Sequence, residues 1–483
     1  MFSKRFQKKS DVSKYSILYR AIKQCIIEVE LPNQWLLPST RLLAKEFNLS
    51  RTTVIRAYEL LSLEKLIIAK KGSGYRVNYD GVSTPKINQK TIKKDIYPEI
   101  SEKGKSYLEN ISLINRLPDN NIAFRPGLPP LDVFPVNQWK KLLNNYWRYI
   151  KASGLTYSKS TGLSELKKSI STYLKVSRNI KVQPNRIVVV SGSLQSLYLI
   201  ANTLINPGDE VVLENPVFPN VHSVFKSSKA KIIPLNLDDE GIQIQSIFNK
   251  KEINPKLIHV TPSNHYPLGI KMSLKRRKEV LEFATSKNAL IIENDYENEI
   301  GNATESIPTL FSLDQEDRTI YMGTFNRLLH PSIRLGYMVV PYYLIDVVEA
   351  LQEHSHRFVS PSIQVVMNQF IEKNYLYKHI ENCIAAAKER REIFTAEFNK
   401  ISQKMWIQEK VFSSFHLVAY FKDSTSESEE KDIIKAIKSK NITVFSLSKC
   451  YITNSKKTGL ILGYSAIRTS LIKKTIAKME GII

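Results

Sequence analysis

Two sets of residues in this chain of 483 have the types and spacing that anion recognition needs. The first lies near the N-terminus, where Arg51, Thr52, Thr53 and Arg56 fall at helical spacing away from the apolar positions Val54, Ala57, Tyr58 and Leu61. Cations and hydroxyls on the open face of a helix suit DNA phosphates and base edges. The second lies in the body of the chain. A β-prone run, Ile187–Val190, ends in Ser191-Gly192-Ser193-Leu194-Gln195 ahead of a helical stretch. Small residues between a strand and a helix N-terminus leave backbone N–H groups and the helix dipole open to an anion. Arg327 and Arg334 follow on one loop and strand, and guanidinium forks match phosphate or carboxylate.

These residues need elements to hold them. Apolar residues recur at three- and four-residue spacings from about Ser16 to Val29 and predict a helix. After it, Ser39 reads as the N-cap of a second helix with Leu42, Leu43 and Phe47 as its buried stripe, and Ser50 as the N-cap of a third. Two capped helices joined by a tight turn predict helix-turn-helix. Ser39 with Arg41, and Ser50 with Arg51, are expected to lock such a module onto the DNA backbone. Ile67–Ala69 and Tyr75–Val77 flank a Gly-containing turn and predict a hairpin, the wing, with Lys71 and Gly72 at its tip. The DNA-reading module is thus residues 1–80, and the Lys-, Ser-, Asn- and Pro-rich residues 81–118 read as a solvated linker. From 119 to 483, apolar runs at Arg186–Val190, Glu210–Leu213, Leu257–Thr261, Ala289–Glu293, Thr319–Met322 and Leu335–Val340 alternate with helical segments. That alternation predicts an α/β fold with a mostly parallel sheet covered on both faces.

Composition agrees with this division. Hydrophobic residues are 42% and charged residues 24%, enough apolar material for a large core, which excludes a disordered, collagenous or coiled-coil chain. Net charge is +24 and residues 1–80 hold 15 Lys and Arg against 7 Asp and Glu, so a polyanionic partner is expected and the charge is densest where DNA would be read. Cys25, Cys383 and Cys450 stand far apart and suit neither a disulfide framework nor a zinc site. No metal is expected. The basic start lacks an apolar stretch behind it and no run of about 20 apolar residues exists, so the expectation is a soluble, cytoplasmic protein.

From Leu18-Tyr19 through Gly72-Ser73-Gly74-Tyr75 the chain resembles the winged helix-turn-helix of the GntR family of bacterial repressors. The resemblance implies a recognition helix in the major groove and a wing by the minor groove, in a dimer on two half-sites. The contacts would come from Ser39, Arg41, Arg51, Thr52, Thr53 and Arg56, with Lys71 and Gly72 near phosphate. Further on, Asn206–Glu210, Glu214–Phe218, Thr261–Gly269, Glu293–Tyr296 and Gly323–Tyr337, in this order and at these intervals, resemble fold type I aminotransferases. A GntR-like module fused to such a domain is similar to the MocR subfamily of regulators. That resemblance implies a pyridoxal phosphate pocket. Its phosphate cradle would be the Ser193 and Leu194 backbone with Thr324 and Arg334, Phe218 would stack on the ring, and Tyr296 would meet its phenolic oxygen. Tyr157 would reach the phosphate of the other subunit, in a head-to-tail homodimer whose modules lie over the partner's large domain.

The same resemblance marks losses. The family phrase Gly-Thr-Phe-Ser-Lys, whose lysine forms a Schiff base with the cofactor, is here Gly323-Thr324-Phe325-Asn326-Arg327. Guanidinium, with a pKa above about 12, keeps its proton and offers no lone pair to an aldehyde. No lysine occurs between Lys287 and Lys373 to replace it. Where these regulators commonly read Glu-Asp-Asp-Tyr, Asn294 takes the position of the carboxylate on the pyridine nitrogen; a register shifted by one would leave Asp295 in that role. Asn264-His265 stands for the usual His-Gln, and Ile461 where aminotransferases often carry a carboxylate-binding arginine. The expectation is a transcription regulator with a catalytically inactive domain that dimerises the chain or senses an effector. Covalent pyridoxal phosphate is not expected, leaving noncovalent cofactor, another anion or none. A buried Arg327 needs an anionic partner, either a local carboxylate such as Asp295 or a ligand. The rival class is a pyridoxal-phosphate aminotransferase with an accessory DNA module; a third is a purely structural dimeriser.

Overall fold

The computed structural model describes residues 12–70, 72–81, 98–114, 121–300, 307–408, 414–453 and 457–483. Contacts divide the chain into two units, Met1–Glu99 and Ile100–Ile483.

The first unit is built from α1 (Lys14–Ile27), α2 (Thr40–Glu46), α3 (Arg51–Leu63), β1 (Ile67–Lys70) and β2 (Gly74–Val77). Both expected caps form: Ser39 Oγ accepts the Leu42 N–H at 3.2 Å and Ser50 Oγ accepts the Thr53 N–H at 3.1 Å. Leu18, Ile22, Cys25 and Ile26 of α1 pack with Leu43, Val54, Ala57, Tyr58 and Leu61 around one core. The strands pair antiparallel from Ile67 with Val77 to Lys70 with Gly74, which makes the wing. Two expectations need correction. Leu42 is 58% exposed rather than buried, because α2 is only seven residues long and turns Leu43 and Ala44 inward instead. Helix α1 stops at Ile27, since Val29 adopts a left-handed φ of 60°, and Val29 lies exposed beyond it.

The second unit runs α4 (Glu102–Asn110), α5 (Val136–Tyr149), α6 (Ser164–Arg178), β3 (Ile187–Val190), α7 (Ser193–Leu204), β4 (Glu210–Asn215), α8 (Pro219–Ser227), β5 (Lys231–Asp238) and β6 (Gly241–Ile242). It continues with α9 (Gln245–Phe248), β7 (Leu257–Val260), α10 (Leu274–Ser286), β8 (Leu290–Asn294), α11 (Leu310–Leu313), β9 (Thr319–Thr324), β10 (Gly336–Val339), α12 (Ile345–Ser355), α13 (Pro361–Glu372) and α14 (Tyr375–Ile401). The last part holds β11 (Met405–Ile407), β12 (His416–Phe421), α15 (Glu427–Ser439), β13 (Phe445–Ser446), β14 (Gly459–Gly463) and α16 (Thr469–Ala477).

All six strands expected from the apolar runs are present, in an eight-stranded sheet ordered β3-β10-β9-β8-β7-β4-β5-β6. The central pairs β4/β5, β4/β7, β7/β8 and β8/β9 are parallel, and β10 is antiparallel to both its neighbours. Alternation along the strands sends Val188, Leu213, Leu257, Ile292 and Ile320 to the side of α7, α8 and α12. Val189, Tyr321 and Tyr337 face α6 and α13, and Val212, Ile258 and Ile291 face α10. Each fully buried aliphatic side chain of these runs contributes about 1.5–3 kcal/mol. A second sheet, β11-β12-β14-β13, packs with α14 and α16 around Phe394, Phe398, Phe415 and Tyr464.

The expected linker is shorter than residues 81–118. Ser101 Oγ accepts the Gly104 N–H at 3.1 Å to start α4, and Ser223 Oγ of α8 donates to the Asn110 carbonyl at 3.0 Å. The Lys- and Glu-rich composition of α4 belongs to its outer face, while Ser106 and Asn110 are buried.

Candidate functional site

In the first unit, Arg41, Arg51, Thr52 and Arg56 are exposed. Their environments differ. Arg51 Nε lies 3.5 Å from Thr40 Oγ1, a long contact that leaves the rest of the guanidinium open. The Arg56 guanidinium lies 4.6 Å over the Tyr15 ring of α1. Thr53 is half-buried, its hydroxyl 2.7 Å from Ser50 Oγ, so it completes a cap as well as standing on the recognition face. Gly72 has φ +76 with nothing within 4 Å of a built Cβ, which suits an open wing tip. Lys71 lies outside the described residues.

In the second unit, β3 runs through Ser191 and Gly192 into the N-terminus of α7, which begins at Ser193 and Leu194. Gly192 has φ +123, and a Cβ there would stand 2.4 Å from Asn326 Nδ2, so the turn needs glycine for conformation and for space. Asn326 Oδ1 accepts the Leu335 N–H at 2.8 Å and Arg334 Nη2 reaches Ser191 Oγ at 3.4 Å. Thr324 ends β9 beside them, its Oγ1 accepting the Asn326 N–H at 3.3 Å. Ser193, Leu194, Thr324 and Arg334 are thus gathered at one helix N-terminus, with Arg334 exposed and in a left-handed conformation at φ 50°. Tyr157 is 79% exposed; its ring neighbours are Phe358 and the Arg357 guanidinium, and no contact joins it to this turn.

Strand alternation separates Asn294 from Asp295. Ile292 faces α7 and α8, and Asn294, two residues on, takes the same side, its Nδ2 at 3.4 Å from His259 Nε2. Burial lowers the His259 pKa to about 3, so this pair is uncharged. Asp295 points the other way, accepting from Arg178 Nε at 2.8 Å and from the Tyr321 hydroxyl at 2.6 Å.

Arg327 therefore meets a local carboxylate, Glu297 in place of Asp295. Its Nη1 lies 3.6 Å from Glu297 Oε1, and Asp295 is held by Arg178. Glu297 carries no helical or strand pattern and sits three residues past the end of β8, at φ 56°, so its inward turn could not be read from spacing. The guanidinium also lies 6.0 Å from the Phe218 ring centre and 5.6 Å from that of Tyr296. Tyr266 stacks edge-on to Phe218 at 4.8 Å. Ile461 packs with Tyr266, Tyr296 and Leu447, so the position expected to lack a carboxylate anchor is apolar in its surroundings too. Glu214, near the end of β4, accepts from the Thr261 amide and hydroxyl at 3.0 and 2.7 Å, and burial pushes its pKa up to about 8.

Residues 127–462 match the family of aminotransferases class I and II. The chain belongs to that family. Residues 14–77 match the bacterial regulatory proteins of the gntR family. Over 475 residues the chain is 28% identical to the "Probable rhizopine catabolism regulatory protein MocR" of Rhizobium meliloti, spanning 98% of this chain and 94% of that one. It is 23% identical over 447 residues to the HTH-type pyridoxine biosynthesis transcriptional regulator PdxR of Corynebacterium glutamicum, spanning 92% and 91% of the two chains. Among solved structures, an archaeal alanine:glyoxylate aminotransferase superposes with a TM-score of 0.69 at 22% identity, over 79% of this chain and 95% of that one. A kynurenine aminotransferase of Pyrococcus horikoshii superposes with a TM-score of 0.68 at 22% identity, over 82% and 97%. At that identity the structures establish the fold. A gntR-type reader joined to an aminotransferase-family domain, matched end to end by regulators, makes the chain a transcription regulator of the GntR/MocR type. Among the described residues no helix is long and apolar enough to cross a membrane.

Proposed function

We propose that this regulator reads DNA through α3 and the wing and senses a phosphate-bearing effector in a large domain that has ceased to be a catalyst. The observation that carries the reading is the ion pair of Arg327 with Glu297, at the residue where the family's phrase has its lysine. A guanidinium held this way has no lone pair with which to join an aldehyde. Asn294 beside an uncharged His259 adds to it, since a neutral amide cannot hold a pyridine nitrogen protonated as a carboxylate does.

The residues fit the phosphate of pyridoxal phosphate and do not fit its covalent attachment. The open N–H groups of Ser193 and Leu194, the Thr324 hydroxyl and the exposed Arg334 suit a phosphate at the start of α7. Phe218 suits the face of a flat ring, and the Tyr296 hydroxyl, buried without a hydrogen-bond partner among the described residues, suits an acceptor on that ring. In this reading pyridoxal phosphate, or another phosphate compound of its shape, binds by noncovalent contacts alone. The exposure of Tyr157 supports its reaching a partner subunit, in a head-to-tail homodimer in the cytoplasm. On DNA, Arg41, Arg51, Thr52 and Arg56 would meet the operator, with Ser39, Ser50, Lys71 and Gly72 near phosphate.

Footprinting of the full chain on its own upstream DNA, with and without pyridoxal phosphate, tests this. Protection that changes with the compound, from protein that takes no borohydride-fixed label inside the pocket, is the expected result. Conversion of amino acids to keto acids, or a borohydride-fixed adduct inside the pocket, would overturn it.

A further inference from the structure

A second cavity opens in the large domain, and every described residue that lines it belongs to the second unit. It measures about 680 Å3, inside the roughly 300–1,000 Å3 range of small-molecule sites. Among the described residues, neither the start of α7 nor Arg327 lines it. Three stretches enclose it. They are the turn Ser112–Leu113 after α4, the face of α15 that bears Glu427, Lys431 and Ile434 at helical spacing, and the chain from Val444 through the edge strand β13 to Thr453.

The lining has an apolar part and a charged part. Leu113, Ile434, Phe445 and Ile452 are only half-buried, with Val444 buried beside them. An apolar body seated there would take out of water area that the fold leaves open. Lys431 and Lys449 are exposed, and neither ammonium has an ion-pair or hydrogen-bond partner among the described residues. Tyr451 is half-buried, and its hydroxyl makes no hydrogen bond with a described residue. Glu427 is the one carboxylate among the described lining residues, so the walls keep a net positive charge.

The wall that carries Lys449 and Tyr451 is fixed along its length. The Lys449 N–H donates to Ser446 Oγ at 3.0 Å, and buried Glu430 accepts the Leu447 and Ser448 N–H groups on Oε1 at 2.8 and 3.2 Å. Further on, the Cys450 carbonyl accepts the Val217 N–H at 2.8 Å, and Asn215 accepts the Ile452 N–H at 2.9 Å while donating to Thr453 Oγ1 at 3.0 Å. A wall bonded in this way is set before a ligand arrives, which lowers the ordering cost of binding. Lysine offers a point charge rather than a planar fork, so the pair selects for negative charge and not for one anionic group.

We propose that this cavity is a second small-molecule site of the regulator, taking an organic anion whose apolar body lies on Ile434, Phe445 and Ile452 and whose charged end meets Lys431 and Lys449. The site does not depend on what the cradle at α7 holds.

Three probes separate body from charge in equilibrium dialysis of the full-length chain at low salt: 2-naphthoate with rings and charge, 2-naphthol with the rings alone at neutral pH, and inorganic phosphate with charge alone. The wild type is expected to bind one 2-naphthoate per chain, about tenfold more tightly than 2-naphthol, and inorganic phosphate is expected not to displace it. Lys431→Met combined with Lys449→Met removes both charges and keeps apolar stems. That variant is expected to bind 2-naphthoate only as tightly as 2-naphthol, with an unchanged urea midpoint because both lysines are exposed. Arg334→Ala, in the cradle, is expected to leave 2-naphthoate binding as it is. Equal binding of the two naphthalenes, a double variant that binds 2-naphthoate like the wild type, displacement by inorganic phosphate, loss of binding in Arg334→Ala, or no binding of 2-naphthoate would each overturn the proposal.

Discussion

The Arg327 guanidinium lies directly against Gly127: a Cβ at residue 127 would stand 1.7 Å from Arg327 Nη1 and 2.7 Å from its Cζ. With Glu297 at 3.6 Å, the arginine lies between two separate segments of the chain. Gly127 also has φ +80. An alanine there is strained by about 1 kcal/mol or more in any background, but it collides with the guanidinium only while Arg327 is present. Because only the flexible end of Arg327 has to move aside, Gly127→Ala is expected to destabilise the wild type by ~1–2 kcal/mol and an Arg327→Ala background by ~1 kcal/mol, and to shift the guanidinium away from Glu297. Urea midpoints of the four proteins in a double-mutant cycle check it, and strictly additive effects would mean that the two residues do not touch.

Lysine at residue 327 would return an amine able to shed its proton. Arg327→Lys, incubated with pyridoxal phosphate and then borohydride, is expected to carry one phosphopyridoxyl group on the peptide containing residue 327, while the wild-type peptide stays unmodified. Peptide mass spectrometry reads both. An unmodified peptide from the variant would mean that Ser193, Leu194, Thr324 and Arg334 do not hold this phosphate compound.

Much of this arrangement is legible in the sequence. Ser39 and Ser50 announce their helices because a hydroxyl at an N-cap acts on backbone N–H groups only three residues away. The six sheet strands are legible because strands buried on both faces are continuous apolar runs. Helix α4 is not, because its lysines and glutamates outnumber the small residues that dock it on α8. The Arg327 partner escapes for a different reason. Asp295 and Glu297 are both near in sequence, and which of them turns toward residue 327 depends on Arg178 taking Asp295 from the far side of the sheet. Long-range competition of that kind leaves no local spacing to read.

On the DNA-reading face, Arg51 and Arg56 are expected to behave differently. Arg51 is loosely held by Thr40, so its guanidinium is available to the operator. Arg51→Ala should weaken operator binding about 5- to 150-fold, as loss of a base or phosphate contact of ~1–3 kcal/mol does. Arg56 stacks on Tyr15, which ties α3 to α1, so Arg56→Ala should also lower the stability of the unit by ~0.5–1 kcal/mol. Gel shifts across a salt series separate the two, and a shift unchanged by Arg51→Ala would overturn the placement of α3 in the groove.

Glu214 gives the large domain a pH dependence of definite sign. Its carboxyl is buried against Thr261, and burial raises its pKa from the ordinary 4.5 to about 8. A folded pKa above the unfolded one means that the native chain binds this proton more tightly. The stabilisation is therefore fully present below the unfolded value and is lost as the pH rises through the folded one, each tenfold gain in proton affinity being worth about 1.4 kcal/mol. His259, lowered by burial from 6.5 to about 3, acts on the acid side and adds nothing above its unfolded value. Glu214→Gln keeps the shape and an acceptor for Thr261 while removing the titration. The variant is expected to match the wild type near about pH 5 and to exceed it by a few kcal/mol near about pH 8. Taking the difference between the two proteins cancels every other titrating group, so urea midpoints at both pH values that move in parallel would show that Glu214 is ionised in the folded chain.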